Sequence, residues 1–235
     1  MKFVQFQTCE FSMGAQDGGP GDVEDYEGPD HKVLLSPFAI AATCVTRGEW
    51  REFLGDAHYH WAFEREAAQR SPSLEHPAIF VSWFDANAFC DWKSQRLGKS
   101  VRLPTEAEWE FVCRQVALEK VESRMIFQRW CEKFDDVNPV AGFSTLPQET
   151  GVFGIWEGVT EWCLDSFDEN AYSTLPKTDP VMLSAARYKV FRGGSPLSAS
   201  YPRCSYRGFL VPTDRTPVLG FRPVMSEANK RPGQP

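Results

Sequence analysis

The pattern of apolar residues changes near residue 135, and this change restricts the fold more than any other feature of the chain. Before that point three segments carry helix-start signals; after it, short apolar runs alternate with Gly, Pro and Asn. The first pattern favours helices, and the second favours short strands joined by turns. With no internal repeat and no linker, the 235 residues are typical of one compact α+β domain rather than two small ones.

The helix-start signals give approximate helix bounds. Thr46-Arg47-Gly48-Glu49 fits a capping box and predicts a helix over residues 47–54. Ser82-Trp83-Phe84-Asp85 repeats the signal, with Gly98 as the stop. The segment behind Pro104 predicts a third helix that continues towards Arg129.

Strands are predicted on both sides of these helices. Residues 1–14 read as a strand ending in a turn, 15–31 as an acidic surface loop, and 33–42 as a second strand. In the later half, short strands are expected in six apolar runs: 139–143, 152–156, 159–164, 188–191, 209–212 and 219–224.

Charge and cysteine content exclude several classes of protein. The net charge of −7 argues against binding to a nucleic-acid backbone, which depends on clustered Lys and Arg. No run is long and apolar enough to cross a membrane, and residues 1–13 lack a signal-peptide pattern. The seven cysteines are scattered without a CxxC pair, which is typical of reduced thiols in a cytoplasmic protein.

Several segments form an ordered set of motifs between residues 11 and 222. They are Phe11-Ser12-Met13-Gly14, Val45-Thr46-Arg47-Gly48-Glu49-Trp50, His76-Pro77 with Val81-Ser82-Trp83-Phe84-Asp85-Ala86, Arg102-Leu103-Pro104-Thr105-Glu106-Ala107-Glu108-Trp109-Glu110, Gly151 to Trp162, Arg192-Gly193-Gly194-Ser195 and Leu219-Gly220-Phe221-Arg222. Together they resemble the formylglycine-generating-enzyme, or sulfatase-modifying-factor, family. The resemblance implies an α+β fold of the formylglycine-generating-enzyme type, a variant of the C-type-lectin fold with little regular secondary structure. It covers a domain of residues 1–225, followed by a polar tail of residues 226–235.

The fourth motif is expected to be architectural. Its three glutamates favour the positive N-terminus of a helix. Arg102 and Arg222 are candidates for a buried ion pair with one of them, but the sequence does not name the partner.

The chain departs from the copper-dependent members of that family. Their two Cu(I)-binding cysteines fall here on Ser198 and near Arg203, with Cys204 one position later. One thiol beside arginines does not make a two-thiolate copper site. Oxidation of a cysteine to formylglycine is therefore not expected.

The calcium and peptide contacts of the family are altered as well. Two positions where the family has oxygen ligands are Gly154 and Gly158, which leaves Glu161 as a single carboxylate. Calcium binding is therefore doubtful. Val218 stands where the peptide-binding members carry Asn.

The resemblance places the pocket around the segment after Arg-Gly-Gly-Ser. The residues expected to bind substrate are Trp162, Ser195, Ser198, Arg203 and Arg207. The residues expected to act in catalysis are Tyr201, Cys204 and Tyr206. An arginine can hold a carboxylate, a tyrosine can pass a proton, and an activated thiol can act as a nucleophile. Plain packing roles for Cys204 and Tyr206 remain the alternative.

No metal is assigned to the chain. His58-Tyr59-His60 with Glu64 is the only local cluster with metal-ligand character, and surface histidines explain it better.

Two hypotheses about function remain open. Some stand-alone relatives without the copper cysteines act in siderophore and other secondary-metabolite pathways. That implies a cytoplasmic tailoring enzyme which oxidises a small-molecule or peptide-like substrate with molecular oxygen, with or without a metal. The alternative is a non-catalytic C-type-lectin-like module that binds a ligand or a protein. The sequence leaves the oligomeric state and the substrate open.

Overall fold

A computed structural model describes residues 1–15, 24–118, 150–155, 158–194 and 203–226. Its helices are α1 (Arg47–Asp56), α2 (Glu64–Arg70), α3 (Trp83–Leu97), α4 (Glu106–Leu118) and α5 (Ala171–Thr174), with a 3₁₀ turn at Asp25–Glu27. Its strands are β1 (Phe3–Phe6), β2 (Cys9–Met13), β3 (His31–Leu35), β4 (Phe38–Ala41), β5 (Ser100–Arg102), β6 (Thr160–Ser166), β7 (Lys189–Arg192), β8 (Gly208–Leu210), β9 (Leu219–Phe221) and β10 (Val224–Ser226).

The strands form three sheets. One has the order β1-β4-β10-β5, a second pairs β2 with β3, and the third has the order β8-β7-β6-β9. All neighbours are antiparallel except β6 and β9, which run parallel. Such a mixture of short strands and helices confirms the predicted α+β class.

The helix starts confirm the predictions made from the sequence. At α1 the Thr46 hydroxyl accepts the Glu49 N–H at 3.2 Å, and the Glu49 carboxylate accepts the Thr46 N–H at 3.1 Å. At α3, Ser82 and Asp85 form the same reciprocal pair, and Gly98 ends the helix at φ 61°. The third predicted helix begins behind Pro104 as α4, and its predicted continuation towards Arg129 lies outside the described residues.

Several strand predictions needed correction. Residues 33–42 form two strands in different sheets, because Pro37 has no N–H to donate and the Asp179 carboxylate takes both the N–H and the hydroxyl of Ser36 at 2.7 Å. Residues 1–14 likewise divide into β1 and β2. The run at 152–155 forms no strand, and α2 and α5 were not predicted. The run at 139–143 lies outside the described residues.

Two apolar clusters make up most of the core. In the first, α4 packs through Trp109 and Val112 against β2 and β3 and against Ile40 of β4. In the second, α1 and α3 enclose Trp50 and Phe89, which stack at 6.1 Å. Because α4 packs against both β2–β3 and the β6–β7 pair, its acidic first turns contact Asp165 of β6 and Arg192 of β7.

None of the helices among the described residues is both long and apolar enough to cross a membrane.

Candidate functional site

Three glutamates at the start of α4 each hold a different arginine. Glu108 accepts two hydrogen bonds from Arg102 at 2.7 Å, which confirms Arg102 as a partner of this motif. Glu106 accepts two from Arg207, at 2.6 and 3.1 Å, and Glu110 pairs with Arg192. The other sequence candidate, Arg222, pairs instead with Glu161 at 3.0 Å.

The segment Arg203–Arg207 is fixed along its whole length. Arg203 donates to Glu27, and Arg207 is held by Glu106. Between them, Cys204 forms a disulfide with Cys113 of α4. Arg192 donates to the carbonyl oxygens of residues 205 and 206 at 2.7 and 2.6 Å. The segment is therefore held by two ion pairs, one disulfide and two charge-assisted hydrogen bonds.

Burial and the neighbouring charges set the protonation of the carboxyls beneath this segment. Burial alone would raise the pKa of Glu106, but Arg207 and Arg192 outweigh it, so the pKa lies below its usual value. Burial, together with the negative charge of Glu106, raises the pKa of Asp165 to about 7. Asp165 nevertheless accepts the N–H groups of Glu106 and Met182, at 2.8 and 2.9 Å. One buried carboxyl is thus ionised while its neighbour titrates near neutral pH.

A cluster of half-exposed rings lies beside the fixed segment, and we call it the aromatic shelf: Tyr26, Phe167, Tyr188 and Phe209. Phe167 and Phe209 stack at 4.0 Å, and Tyr26 meets Phe167 edge-on at 5.3 Å. Tyr188 meets Phe209 at 5.3 Å. Arg207 joins the shelf to the segment, because it donates to the Tyr26 carbonyl oxygen at 2.6 Å and lies 5.2 Å from the Phe167 ring.

Tyr206 lies next to the shelf and is half-buried. The Arg203 guanidinium lies 5.5 Å from its ring centroid. Burial raises the pKa of Tyr26, and the charges of Glu24 and Tyr206 raise it further. Tyr206 is therefore close enough to Tyr26 to affect the pKa of Tyr26.

The structure gives three of the predicted substrate-binding residues other partners. Trp162 is fully buried and donates to the Val81 carbonyl oxygen at 3.0 Å, so it packs in the core. Arg207 is fully buried, and its five N–H groups are directed to Glu106 and to the carbonyl oxygens of Tyr26 and Asp168. That leaves Arg207 no donor for a substrate carboxylate. Arg203 is committed to the buried Glu27. Ser195, Ser198 and the predicted catalytic Tyr201 lie outside the described residues.

The predicted nucleophile Cys204 has no free thiol, since its sulfur is bonded to Cys113. The expectation of seven reduced cysteines is therefore wrong for this pair. Of the remaining cysteines, the four within the described residues have free thiols, and burial raises their pKa, to about 11 in the half-buried Cys9.

The donors present do not fit the family's metal ions. A Cu(I) site needs two thiolates, and this chain offers Ser198, the ion-paired Arg203 and the disulfide-bonded Cys204. Both carboxylate oxygens of Glu161 accept hydrogen bonds from Arg222, and one also accepts the Trp109 N–H at 2.9 Å. That carboxylate is therefore an architectural partner rather than a free calcium ligand.

The histidine cluster does not converge on a metal either. His58 and His60 are exposed, and Glu64 pairs with Arg47 at 2.7 Å. Among the described residues, no group of three or more His, Cys, Asp or Glu side chains is arranged to hold a metal ion.

Sequence reasoning missed Tyr26 and Glu27. Both lie in the segment predicted to be an acidic surface loop, although Glu27 is fully buried under Arg203. The two residues of that ion pair are 176 positions apart, so no local pattern could have revealed it.

The fold and the site together define a C-type-lectin-like α+β protein whose site segment is tied to an acidic helix. Within that class, the chain belongs to the family of the sulfatase-modifying factor enzyme 1-like domain, whose model matches residues 2–227. This confirms the resemblance drawn from the sequence.

Named relatives agree with this assignment. The formylglycine-generating enzyme of Streptomyces coelicolor is 28% identical over 281 residues, which cover 93% of this chain and 87% of that protein. The inactive C-alpha-formylglycine-generating enzyme 2 of Bos taurus is 31% identical over 156 residues, covering 48% of this chain and 49% of that protein. The solved structure of PvdO from Pseudomonas aeruginosa superposes with a TM-score of 0.79 at 23% identity, covering 95% of this chain and 93% of that one. At that identity the superposition shows the shared fold alone.

Proposed function

We propose that this chain is a small-molecule tailoring enzyme which carries out an oxidation step in secondary-metabolite biosynthesis, and that it is not a copper formylglycine-generating enzyme. The observation that carries the proposal is the aromatic shelf beside Arg203–Arg207, with Tyr206 at its border. A half-exposed wall of rings with few polar groups suits a planar small-molecule substrate.

The fixed segment supports a role in positioning. Ion pairs, the disulfide and the Arg192 hydrogen bonds hold Tyr206 in one place relative to the shelf. A catalytic side chain held in this way loses little conformational entropy when the substrate binds. The rigid backbone therefore favours Tyr206 as the residue that exchanges a proton with the substrate.

The reaction is balanced with molecular oxygen as the oxidant. The substrate loses two electrons and two protons as one new double bond forms, and oxygen takes up both to become hydrogen peroxide. The Tyr206 hydroxyl transfers one proton between a substrate hydroxyl or amine and solvent. Neither a copper ligand nor a free cysteine is needed for this step.

The test measures oxygen uptake and peroxide formation with a panel of phenolic and reduced heteroaromatic compounds. Tyr206→Phe is expected to slow oxygen uptake at least tenfold while ligand affinity stays within about twofold. Tyr59→Phe, which removes a tyrosine hydroxyl beside the second core cluster and outside the shelf, is the matched control and is expected to keep its activity. Full activity in Tyr206→Phe would show that this tyrosine is not catalytic.

A second candidate function is a non-catalytic C-type-lectin-like binding module. It is favoured because Cys204 is in a disulfide, and because Arg203 and Arg207 are each in an ion pair with a buried glutamate of the scaffold. If panel compounds bind the shelf but the wild-type protein consumes no oxygen with any of them, this second candidate is correct and the oxidation is wrong.

A further inference from the structure

Phe80 has a backbone conformation that aromatic residues rarely adopt. Its φ is 57°, in the left-handed region. Both of its peptide groups are held: the N–H donates to the Thr216 carbonyl oxygen at 3.0 Å, and the carbonyl oxygen accepts the Trp61 indole N–H at 3.0 Å. Strained residues of this kind cluster at ligand-binding sites, so the surroundings of Phe80 are a candidate for one.

The Phe80 ring is part of a second aromatic surface. Phe63 lies parallel to it, with an interplanar angle of 5° and ring centroids 6.0 Å apart. Trp61 lies 6.2 Å from Phe63. All three rings are partly exposed, so they offer solvent an apolar aromatic face.

Arg215 lies against this surface with donors to spare. Its guanidinium lies 5.5 Å from the Phe63 ring. Nε and one Nη2 hydrogen donate to Asp85 at 2.8 and 3.1 Å, and one Nη1 hydrogen donates to the Thr213 carbonyl oxygen at 3.1 Å. Of the five N–H groups of a guanidinium, one on each terminal nitrogen has no acceptor among the described residues. The side chain is 30% exposed.

Asp85 orients Arg215 without cancelling its whole charge. The same carboxylate also accepts the Tyr59 hydroxyl and the Ser82 N–H, each at 2.8 Å, at the positive N-terminus of α3. The negative charge is thus shared among several donors. What remains is a fixed guanidinium with two N–H groups available for both oxygens of a carboxylate.

This surface is distinct from the aromatic shelf. Phe209 of the shelf packs with Tyr26 and Phe167, whereas its neighbour Leu210 packs with the second core cluster, on the opposite face of β8. Arg215 lies in the loop from β8 to β9, on that opposite side. There the Phe80 N–H donates to the carbonyl oxygen of the next residue, Thr216. A ligand on this surface would therefore not occupy the shelf.

We propose that Phe63, Phe80 and Arg215 form a binding site for a planar aromatic carboxylate. The ligand ring packs on the two phenylalanines, and its carboxylate takes the two available N–H groups of Arg215. The site stands independently of the proposed oxidation.

The experiment titrates the ¹⁵N-labelled full chain with benzoate, acetate and benzyl alcohol and follows the amide spectrum and the Trp61 indole signal. Benzoate is expected to shift the Trp61 signal and the amides of residues 213–216. It should bind at least tenfold more tightly than acetate or benzyl alcohol, because acetate has the carboxylate without the ring and benzyl alcohol has the ring without the carboxylate. Equal binding of all three, or shifts confined to the shelf, would overturn the proposal.

Variants separate recognition from folding. Arg215→Gln is expected to weaken benzoate at least tenfold, and Arg187→Gln, which alters an exposed arginine beside shelf residue Tyr188, is expected to leave it unchanged. Arg215→Gln also removes the hydrogen bonds that Arg215 donates to the buried Asp85. If this loss prevents the Gln variant from folding, Arg215→Lys is measured instead. Lys keeps the charge but not the two-pronged geometry, and it should weaken benzoate several-fold. Wild-type affinity in either folded variant contradicts the site.

Discussion

The first turns of α4 and the aromatic shelf lie on either side of Arg207, yet they use their side chains in opposite ways. In α4 the glutamates are buried and every carboxylate has an arginine partner. In the shelf the rings are half-exposed. The difference teaches that the charged residues of this chain mainly hold the scaffold, while the surface open to a ligand is aromatic.

The largest expected effect comes from removing one of the buried ion pairs at the start of α4. Glu110→Gln removes the carboxylate nearest to the fully buried Arg192 and leaves only Glu106, at 3.7 Å. The free energy of unfolding should fall by about 3–5 kcal/mol, measured by urea denaturation. Glu169→Gln, at an exposed glutamate, is the control and should change little. A loss below about 1 kcal/mol in Glu110→Gln would show that this ion pair is not structural.

The next effect concerns the disulfide that joins α4 to the fixed segment beside the shelf. Cys113 and Cys204 are 91 residues apart, so their disulfide removes much of the unfolded chain's entropy. Cys204→Ala should lower the free energy of unfolding by about 2–5 kcal/mol. Reductant should lower the melting temperature of the wild-type protein but not that of the Cys113→Ala, Cys204→Ala double variant. A wild-type protein insensitive to reductant, with free-thiol titration counting seven, would contradict the bond.

A smaller effect tests the β8 strand, which leads from the fixed segment into the shelf. A Cβ at Gly208 would overlap the Phe191 ring, because the tip of that ring lies directly against the glycine. Gly208→Ala should destabilise the fold by about 1–3 kcal/mol because Phe191 must move. Gly55→Ala in α1 meets no atom within 4 Å and should be neutral or stabilising by up to about 1 kcal/mol. Equal thermal shifts in the two variants would refute the contact.

The smallest effect is a pH dependence beneath the fixed segment. The pKa of Asp165 is raised from 3.8 to about 7 in the folded state, so the folded chain binds the proton more tightly than the unfolded one. The contribution of this group to stability is present at low pH and is lost as the pH rises through about 7. Melting temperatures between pH 5 and 8 should show this fall, and Asp165→Asn should flatten it. An unchanged slope in Asp165→Asn would assign the effect to another group.

The starts of the main helices could be predicted from residues close together in the sequence. Capping boxes at Thr46 and Ser82, and the acidic turn behind Pro104, fix helix starts within a few residues of chain. The family motifs then supplied the overall fold. What the sequence left out was long-range pairing. Glu27 with Arg203, and Cys113 with Cys204, join residues far apart in the chain, so neither has a local signature.

The predicted site residues show what the sequence alone could not supply. Residues 203–207 lie beside a half-exposed surface, but Arg207 and Trp162 proved to be buried in the scaffold. The prediction that both residues contact substrate came from their residue types. Their burial and their hydrogen-bond partners are properties of the folded chain, and the sequence does not display them. The half-exposed ring of Tyr26 could not be predicted from the sequence, because an aromatic residue in a polar loop is not part of any periodic apolar pattern.

The place of β10 has a consequence for how the chain is made. Strand β10, Val224–Ser226, lies between β4 and β5, so neither of these strands has a partner on that side until residue 226 has been synthesised. During translation, β4 and β5 therefore expose unpaired edges while the residues up to β10 are added, and such edges invite association with other chains. A stop codon just before residue 224 would release a chain that cannot close its first sheet.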